Sequence, residues 1–141
     1  MAKPSDESVT SSTVLQADDH LTITVTAGGT YAIDGCLIVA GDPAGDLALT
    51  IAAPGGSTGG WTPTATTLGT TDGTGSVRLT RFDFGAPSSM GATAAGVMVV
   101  PTGGLIAGAD GAVTVQWAQA VSSATATTLR AGSWIRVTRI S

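Results

Sequence analysis

The stretch LTITVTAGGTYAIDGCLIVAG, residues 21–41, contains the pattern that decides the fold. Its first five residues alternate between aliphatic side chains and threonine, which predicts a strand with one buried face, ended by a Gly-Gly pair. In residues 31–39 both alternating faces are apolar, which predicts a central strand covered on both sides. Two such strands in direct succession favour a protein built from sheets.

The rest of the chain repeats this strand-and-turn pattern. Further strands are predicted around residues 47–51, 77–84, 97–106, 113–117 and 134–140, and the third of these is interrupted by Pro101. No segment has a convincing helical period. About eight short strands separated by turns predict an all-β protein, an antiparallel β-sandwich or jelly roll.

The first thirteen residues differ from the remainder of the chain. Residues 1–13 are polar, rich in Ser and Thr, and without hydrophobic periodicity. We expect them to form an extended N-terminal arm that is disordered in isolation, ahead of a single jelly-roll domain at residues 14–141.

The charge is distributed unevenly. Residues 1–127 carry ten acidic and three basic residues, whereas residues 128–141 carry Arg130, Arg136 and Arg139 and no acid. These arginines suit contacts with acidic surface on a neighbouring subunit, or they protect a solvated edge strand from aggregation. The sequence leaves both interpretations open.

The composition favours self-association. Hydrophobic residues make up 43% of the chain but aromatic residues only 4%, and glycine occurs 20 times. Small side chains bury little area each, so a single core of this kind is thin and an interface would help to stabilise it.

A catalytic site is not predicted. His20 is the only histidine and follows Asp18 and Asp19 at a probable strand start, and a histidine in a surface turn is the favoured interpretation. One His and one Cys cannot form a zinc site within one chain. We therefore expect no enzyme activity and no cofactor.

Other partners are also unsupported. The negative net charge of −4 argues against nucleic acid, and no run of apolar residues is long enough to span a membrane. Cys36 is the only cysteine and lies in an apolar run, so it is expected to be a buried, inert thiol in a protein made in a reducing cytoplasm.

The three tryptophans divide by context. Trp117 lies on the apolar face of a predicted strand and is expected in the core. Trp61 is flanked by glycines, Thr and Pro in the Gly/Thr-rich segment 55–75, so it is predicted as an exposed outer-surface contact. Trp134 fits either environment.

Three segments carry a resemblance to a known family: TVLQADDHLTITVTAGGTYAIDGCLIVAG, GDLALTIAAPGG and TVQWAQAVSSATATTLRAGSWIRVTRI. They resemble small structural proteins of tailed phages that infect actinobacteria. The resemblance covers residues 13–141 and is most specific at the closing segment. The scarcity of residues with AT-rich codons independently suggests a GC-rich genome.

The resemblance implies a virion protein with a jelly roll like that of tumour necrosis factor. The expected function is capsid decoration: a homotrimer, made in the host cytoplasm, on the outer capsid surface that bridges subunits of the major capsid protein. The residues expected to contact the capsid are those of the arm: Ala2, Lys3, Pro4, Ser5, Asp6, Glu7, Ser8 and Val9. The residues expected between subunits are Arg130, Trp134, Arg136 and Arg139.

The alternative is the knob of a tail fibre or head fibre that binds a host glycan or another receptor. Such a knob would present Trp61 and the 55–75 loop at its tip. The chain has neither coiled-coil heptads nor a collagen-like repeat that could form a shaft, which favours decoration.

Overall fold

The computed structural model describes residues 1–69 and 77–141, and all regular structure in this part of the chain is β. The described residues form thirteen strands: β1 (Glu7–Val9), β2 (Gln16–Val25), β3 (Thr30–Ala40), β4 (Leu47–Ala52), β5 (Thr58–Thr62), β6 (Ala65–Thr66), β7 (Val77–Arg78), β8 (Ser88–Met90), β9 (Val97–Val99), β10 (Thr102–Ile106), β11 (Gly111–Ala118), β12 (Thr127–Leu129) and β13 (Trp134–Arg139).

Two antiparallel sheets form a sandwich, as the sequence predicted. One sheet has seven strands, β1, β12, β13, β3, β9, β10 and β5, and the other has the order β2-β11-β4-β8. The pairings are nested along the chain: β1 with β12, β2 with β11, β3 with β9 and β10, and β4 with β8. Nesting of this kind is typical of jelly rolls.

The strand count exceeds the predicted eight because short strands form where none was predicted, including β1 in the arm and β5 and β6 in segment 55–69, and because a predicted strand is interrupted. β9 and β10 pair with β3 in one continuous register, with Leu37 opposite Val99 and Asp34 opposite Thr102. Pro101 lies between them and has no N–H to donate, so the single interrupted strand expected there is confirmed. β12 and β13 likewise follow one another along β3.

The core lies between the two sheets and contains two of the three tryptophans. Trp117 is fully buried, as expected. Trp61 is only 2% exposed and packs against Phe82 with ring centroids 5.8 Å apart, so the prediction of an exposed Trp61 is wrong. The segment 55–69 is not a continuous loop but contains β5 and β6, and residues 70–75 of the predicted loop lie outside the described residues.

The N-terminal arm is folded onto the domain. Glu7–Val9 pair with Thr127–Leu129, and Ala2 lies opposite Trp134. Val9 is buried in the core. Residues 1–9, called the arm below, therefore lie along the edge of the seven-stranded sheet, where Glu7–Val9 form its outermost strand, contrary to the expectation of a segment disordered in isolation.

The central strand β3 is paired along both edges but covered on only one face. Its inward side chains, among them Leu37 and Val39, are fully buried. Cys36 and Ile38 on the other face are half-buried, which corrects the expectation of a strand covered on both sides and of a buried Cys36 thiol. No second layer of the described chain lies over this outer face.

Candidate functional site: two assembly surfaces

The arm is fastened to the domain by a buried ion pair. Lys3 Nζ donates to Asp18 Oδ2 at 2.6 Å, and neither side chain is exposed to solvent. Lys3 Nζ also lies 2.6 Å from Glu7 Oε2, further along the arm. A buried lysine needs a paired carboxylate, because an unpaired buried charge is strongly destabilising. The contact with Asp18 therefore fixes the arm at one site on the domain. Lys3, Glu7 and Asp18 are called the clasp below.

An irregularity in β2 places Asp18 in this position. The pairing of β2 with β11 shifts register between Thr114 and Gln116, which leaves backbone groups of β2 without ladder partners. Asp18 Oδ1 accepts from the backbone N–H groups of both His20 and Leu21 at 2.9 Å. The bulge thus turns the carboxylate inward, where Oδ2 is available to Lys3.

Two further side chains complete the surroundings of the clasp. Trp117 Nε1 donates to Asp18 Oδ2 at 3.3 Å, and Gln16 Nε2 donates to Glu7 Oε1 at 3.1 Å. The clasp therefore joins the arm to β2 and β11 of the opposite sheet. Its carboxylates have hydrogen-bond donors on several sides, as burial of a charge requires.

The pKa values of the clasp follow from burial and from pairing. Burial by itself would lower the pKa of Lys3, but the Asp18 and Glu7 carboxylates outweigh it and hold that pKa above its ordinary value. Burial would raise the pKa of Asp18, but Lys3 and the N–H groups of His20 and Leu21 outweigh it and lower that pKa. Both groups are therefore charged throughout the neutral range.

The clasp also accounts for the cluster around the only histidine. Ligand atoms of Glu7, Asp18 and His20 lie within 4.8 Å of one another. The Lys3 ammonium lies between the two carboxylates, so their counter-charge comes from the chain itself. His20 belongs to β2 rather than to a surface turn, and the neighbouring Asp18 carboxylate is committed to Lys3 and to backbone groups.

The second surface is an apolar patch on the outer face of β3. Met98 lies opposite Ile38, and Trp134 lies opposite Cys36. Cys36 Sγ is 4.0 Å from Met98 Sδ, so the side chains of β3 and β9 are in contact on this face. Met98 is 54% exposed. These residues, together with the exposed Val100 on the same face, are called the outer patch below: Cys36, Ile38, Met98, Val100 and Trp134.

One of the C-terminal arginines borders the outer patch and is paired within its own chain. Arg136 donates from Nε and Nη2 to the two carboxylate oxygens of Asp34, at 3.0 and 2.5 Å, and this pairing raises the pKa of Arg136. Its guanidinium carbon lies 6.0 Å from the centre of the Trp134 ring. The structure therefore brings Trp134 and Arg136 together on one face.

The other two predicted arginines lie apart from that pair. Arg130 follows β12 in the turn before β13, and its backbone N–H donates to Ile38. Arg139 Nε donates to the carbonyl oxygen of Ser141 at 3.1 Å. In the described part of the chain neither side chain forms an ion pair, so both charges remain available to acidic groups on another molecule.

A shallow groove lies at the β5 edge, outside the clasp and the outer patch. Its volume is about 410 Å³, and its lining includes Gly60, Leu79, Arg81 and Gly104. Arg81 is exposed and forms an ion pair with Asp83 at 2.7 Å. Trp61 lines this groove from β5, but its ring is buried rather than exposed.

The residues that sequence reasoning missed are Asp18 as a partner of the arm and Met98 as a member of an exposed patch. For the first the available signal was that Lys3 is the only lysine in the chain, although no spacing pointed to Asp18 as its partner. For the second the signal was β3 itself, whose outer face is apolar.

Comparisons with protein-family models, with curated proteins and with solved structures give no match. No helix in the described residues is long and apolar enough to cross a membrane.

Proposed function

We propose that this chain is a phage virion protein of the capsid-decoration type, which acts as a homotrimer on the outer capsid surface and bridges subunits of the major capsid protein. The observation that carries the proposal is the outer patch. The central strand β3 has an apolar outer face that the described chain leaves uncovered. Such a face is typical of a protein that completes its burial by assembly.

A second copy of the chain is the proposed cover of the outer patch. In a cyclic trimer a different part of the neighbouring copy's surface covers this patch, and the Asp34–Arg136 pair at its border offers both signs of charge to that surface. Arg130 and Arg139, which form no ion pair with other described residues, supply positive charge to a protein whose other charged residues are mostly acidic. These contacts give the trimer its orientation rather than most of its affinity.

The arm is the proposed contact with the capsid. It lies at the edge of the seven-stranded sheet, where β1 pairs with β12 on one side only. Its other edge offers N–H and C=O groups to a strand of a capsid subunit. Ala2, Pro4, Ser5, Asp6 and Ser8 are exposed along this segment, whereas Lys3 and Val9 are buried and hold it in place.

Measurements of mass and of capsid binding test the proposal. Sedimentation equilibrium should give three times the chain mass of 13.8 kDa, and the protein should co-sediment with empty capsids of the phage that carries it. Many such contacts in parallel should raise the temperature at which the shell opens. A monomer that leaves the capsids unbound and their opening temperature unchanged would refute the proposal.

The alternative, a fibre knob that binds a glycan or another receptor, is favoured by a different observation. The groove beside β5 has a glycine floor and one exposed guanidinium, Arg81, which can donate to sugar hydroxyls. The buried Trp61 cannot supply the stacking platform that this alternative expected. Binding of host-cell glycans that Arg81→Ala abolishes, without binding to capsids, would favour the knob.

A further inference from the structure

The arm is joined to the domain covalently only through residues 10–15, called the hinge below. All other contacts of the arm are non-covalent. Lys3 N–H donates to Ser133 at 2.8 Å, Gly132 N–H donates back to Lys3 at 2.9 Å, and the clasp fixes the Lys3 side chain. None of these contacts requires that the arm and the domain belong to the same copy of the chain.

The hinge shows one sign of an unfavourable closed form. Ser11 has a φ of 51°, a left-handed conformation that costs a non-glycine residue on the order of 1 kcal/mol. If extended, the six residues of the hinge reach about 20 Å, enough to cross to a neighbouring subunit.

We propose that the arm is exchanged between copies: in the assembled protein, residues 1–9 of one subunit lie along β12 and β13 of the next, with Lys3 of one copy bound to Asp18 of the other. The inference rests on the self-association in the proposed function but not on the capsid role. The closed and exchanged forms have the same arm contacts, so the hinge decides between them. In a cyclic trimer the exchange closes on itself and leaves no unfilled site.

Cysteine cross-linking between chains tests the exchange. Ser8 Oγ lies 2.7 Å from Thr128 Oγ1, and the two residues are directly opposed in β1 and β12. A disulfide can therefore form between Ser8→Cys and Thr128→Cys. The two substitutions are made in separate chains, both with Cys36→Ser, and the chains are refolded together, oxidised and separated without reductant. Exchange predicts a covalent heterodimer.

A matched pair inside the domain provides the control. Thr22 Oγ1 and Thr114 Oγ1 form a similar cross-strand contact between β2 and β11. Thr22→Cys and Thr114→Cys placed in separate chains should give no heterodimer, because these strands are not exchanged. Asp6→Cys with Ala131→Cys offers a second arm pair, since both positions are exposed and the Asp6 carboxylate accepts from the Ala131 N–H at 2.8 Å.

The outcomes separate this inference from the proposed function. A trimer that gives no heterodimer with either arm pair would overturn the exchange and leave the trimer intact. A monomer that gives no heterodimer would overturn both. Ser11→Gly relieves the left-handed strain and should lower the heterodimer yield about fivefold per arm. A higher yield from Ser11→Gly would contradict the role assigned to the hinge.

Discussion

Lys3 Nζ lies 2.6 Å from Asp18 Oδ2 with both side chains shielded from solvent, so the N-terminal end of the chain is held by a carboxylate of the opposite sheet. Lys3 is the only lysine of the chain, and Asp18 is turned inward by a bulge in β2. The arm is thereby made part of the sandwich rather than an appendage to it.

Removal of the clasp lysine should release the arm. Lys3→Met leaves the buried Asp18 carboxylate without its counter-charge, at a cost of about 1–3 kcal/mol in the free energy of unfolding. The cost stays in this range because the arm can detach and let water reach Asp18. Limited proteolysis should then cleave within residues 1–12 many times faster. Ser5→Ala, at an exposed arm position, is the control and should change neither quantity.

The docked arm should be insensitive to pH across the neutral range. Since the pKa of Asp18 is lowered, its contribution to stability is present above 3.8 and is lost as pH falls through the lower folded-state value. Since the pKa of Lys3 is raised, its contribution is present below 10.5 and is lost as pH rises through the higher folded-state value.

Hydrogen exchange of the Lys3 amide, corrected for its intrinsic rate, measures the stability of the docked arm directly at each pH. Protection should stay constant between about pH 5 and 9 and fall outside that range. Asp18→Asn should lower the protection at neutral pH and remove the acid-side change. Loss of protection between about pH 6 and 7 in the unaltered protein would contradict the assigned ion pair.

The outer patch should govern self-association. Met98→Ser removes the most exposed apolar side chain of the patch and should weaken the trimer at least tenfold, while the circular dichroism of the subunit stays unchanged. Ile106→Ser is the matched control, because Ile106 is similarly exposed on the same sheet but lies outside the patch. Equal weakening by the two variants would mean that general hydrophobicity, not the patch, drives assembly.

The reactivity of Cys36 should report the same interface. Its thiol is half-buried in the single chain, next to Met98 Sδ, so a thiol reagent should modify it readily in dilute, dissociated protein. At concentrations where the trimer forms, the rate should fall several-fold because a second copy covers the patch. Identical rates at both concentrations would place the interface elsewhere.

Trp61 should be a core residue and not a ligand platform. Trp61→Ala should lower the free energy of unfolding by about 3–5 kcal/mol, since the ring is enclosed with Phe82. Trp134→Ala, at a half-exposed position, should cost markedly less when both are compared in the Met98→Ser background. Denaturant unfolding monitored by circular dichroism measures the difference, and equal losses would contradict the assigned burial.

Strand alternation made the fold predictable, and its exceptions explain the errors. In the Leu-Thr-Ile-Thr-Val run and in the strand interrupted at Pro101, alternate side chains face the core, and this alternation is visible in the sequence. The β-sandwich could therefore be predicted from these segments. The arm has no such pattern because it is held by main-chain hydrogen bonds and by Lys3, which a polar sequence can provide equally well. Nothing in sequence spacing indicated that Asp18 would face inward.

Trp61 was misjudged because of its glycine neighbours. A Cβ on Gly60 would lie 2.7 Å from Arg81 Nε, and one on Gly103 would lie 3.0 Å from the Trp61 Cβ. These glycines therefore serve the close approach of neighbouring strands rather than a loop. Clustered glycines are typical both of loops and of strands that approach each other closely, so the sequence could not distinguish these two structures.

Imaging of intact virions that carry this chain tests the central claim most directly. The account predicts trimeric density at local three-fold positions over the whole capsid, with the arm edge facing the major capsid protein. Density confined to a tail tip or to the end of a fibre would contradict it, and would point to the groove beside β5 as the place to seek a receptor.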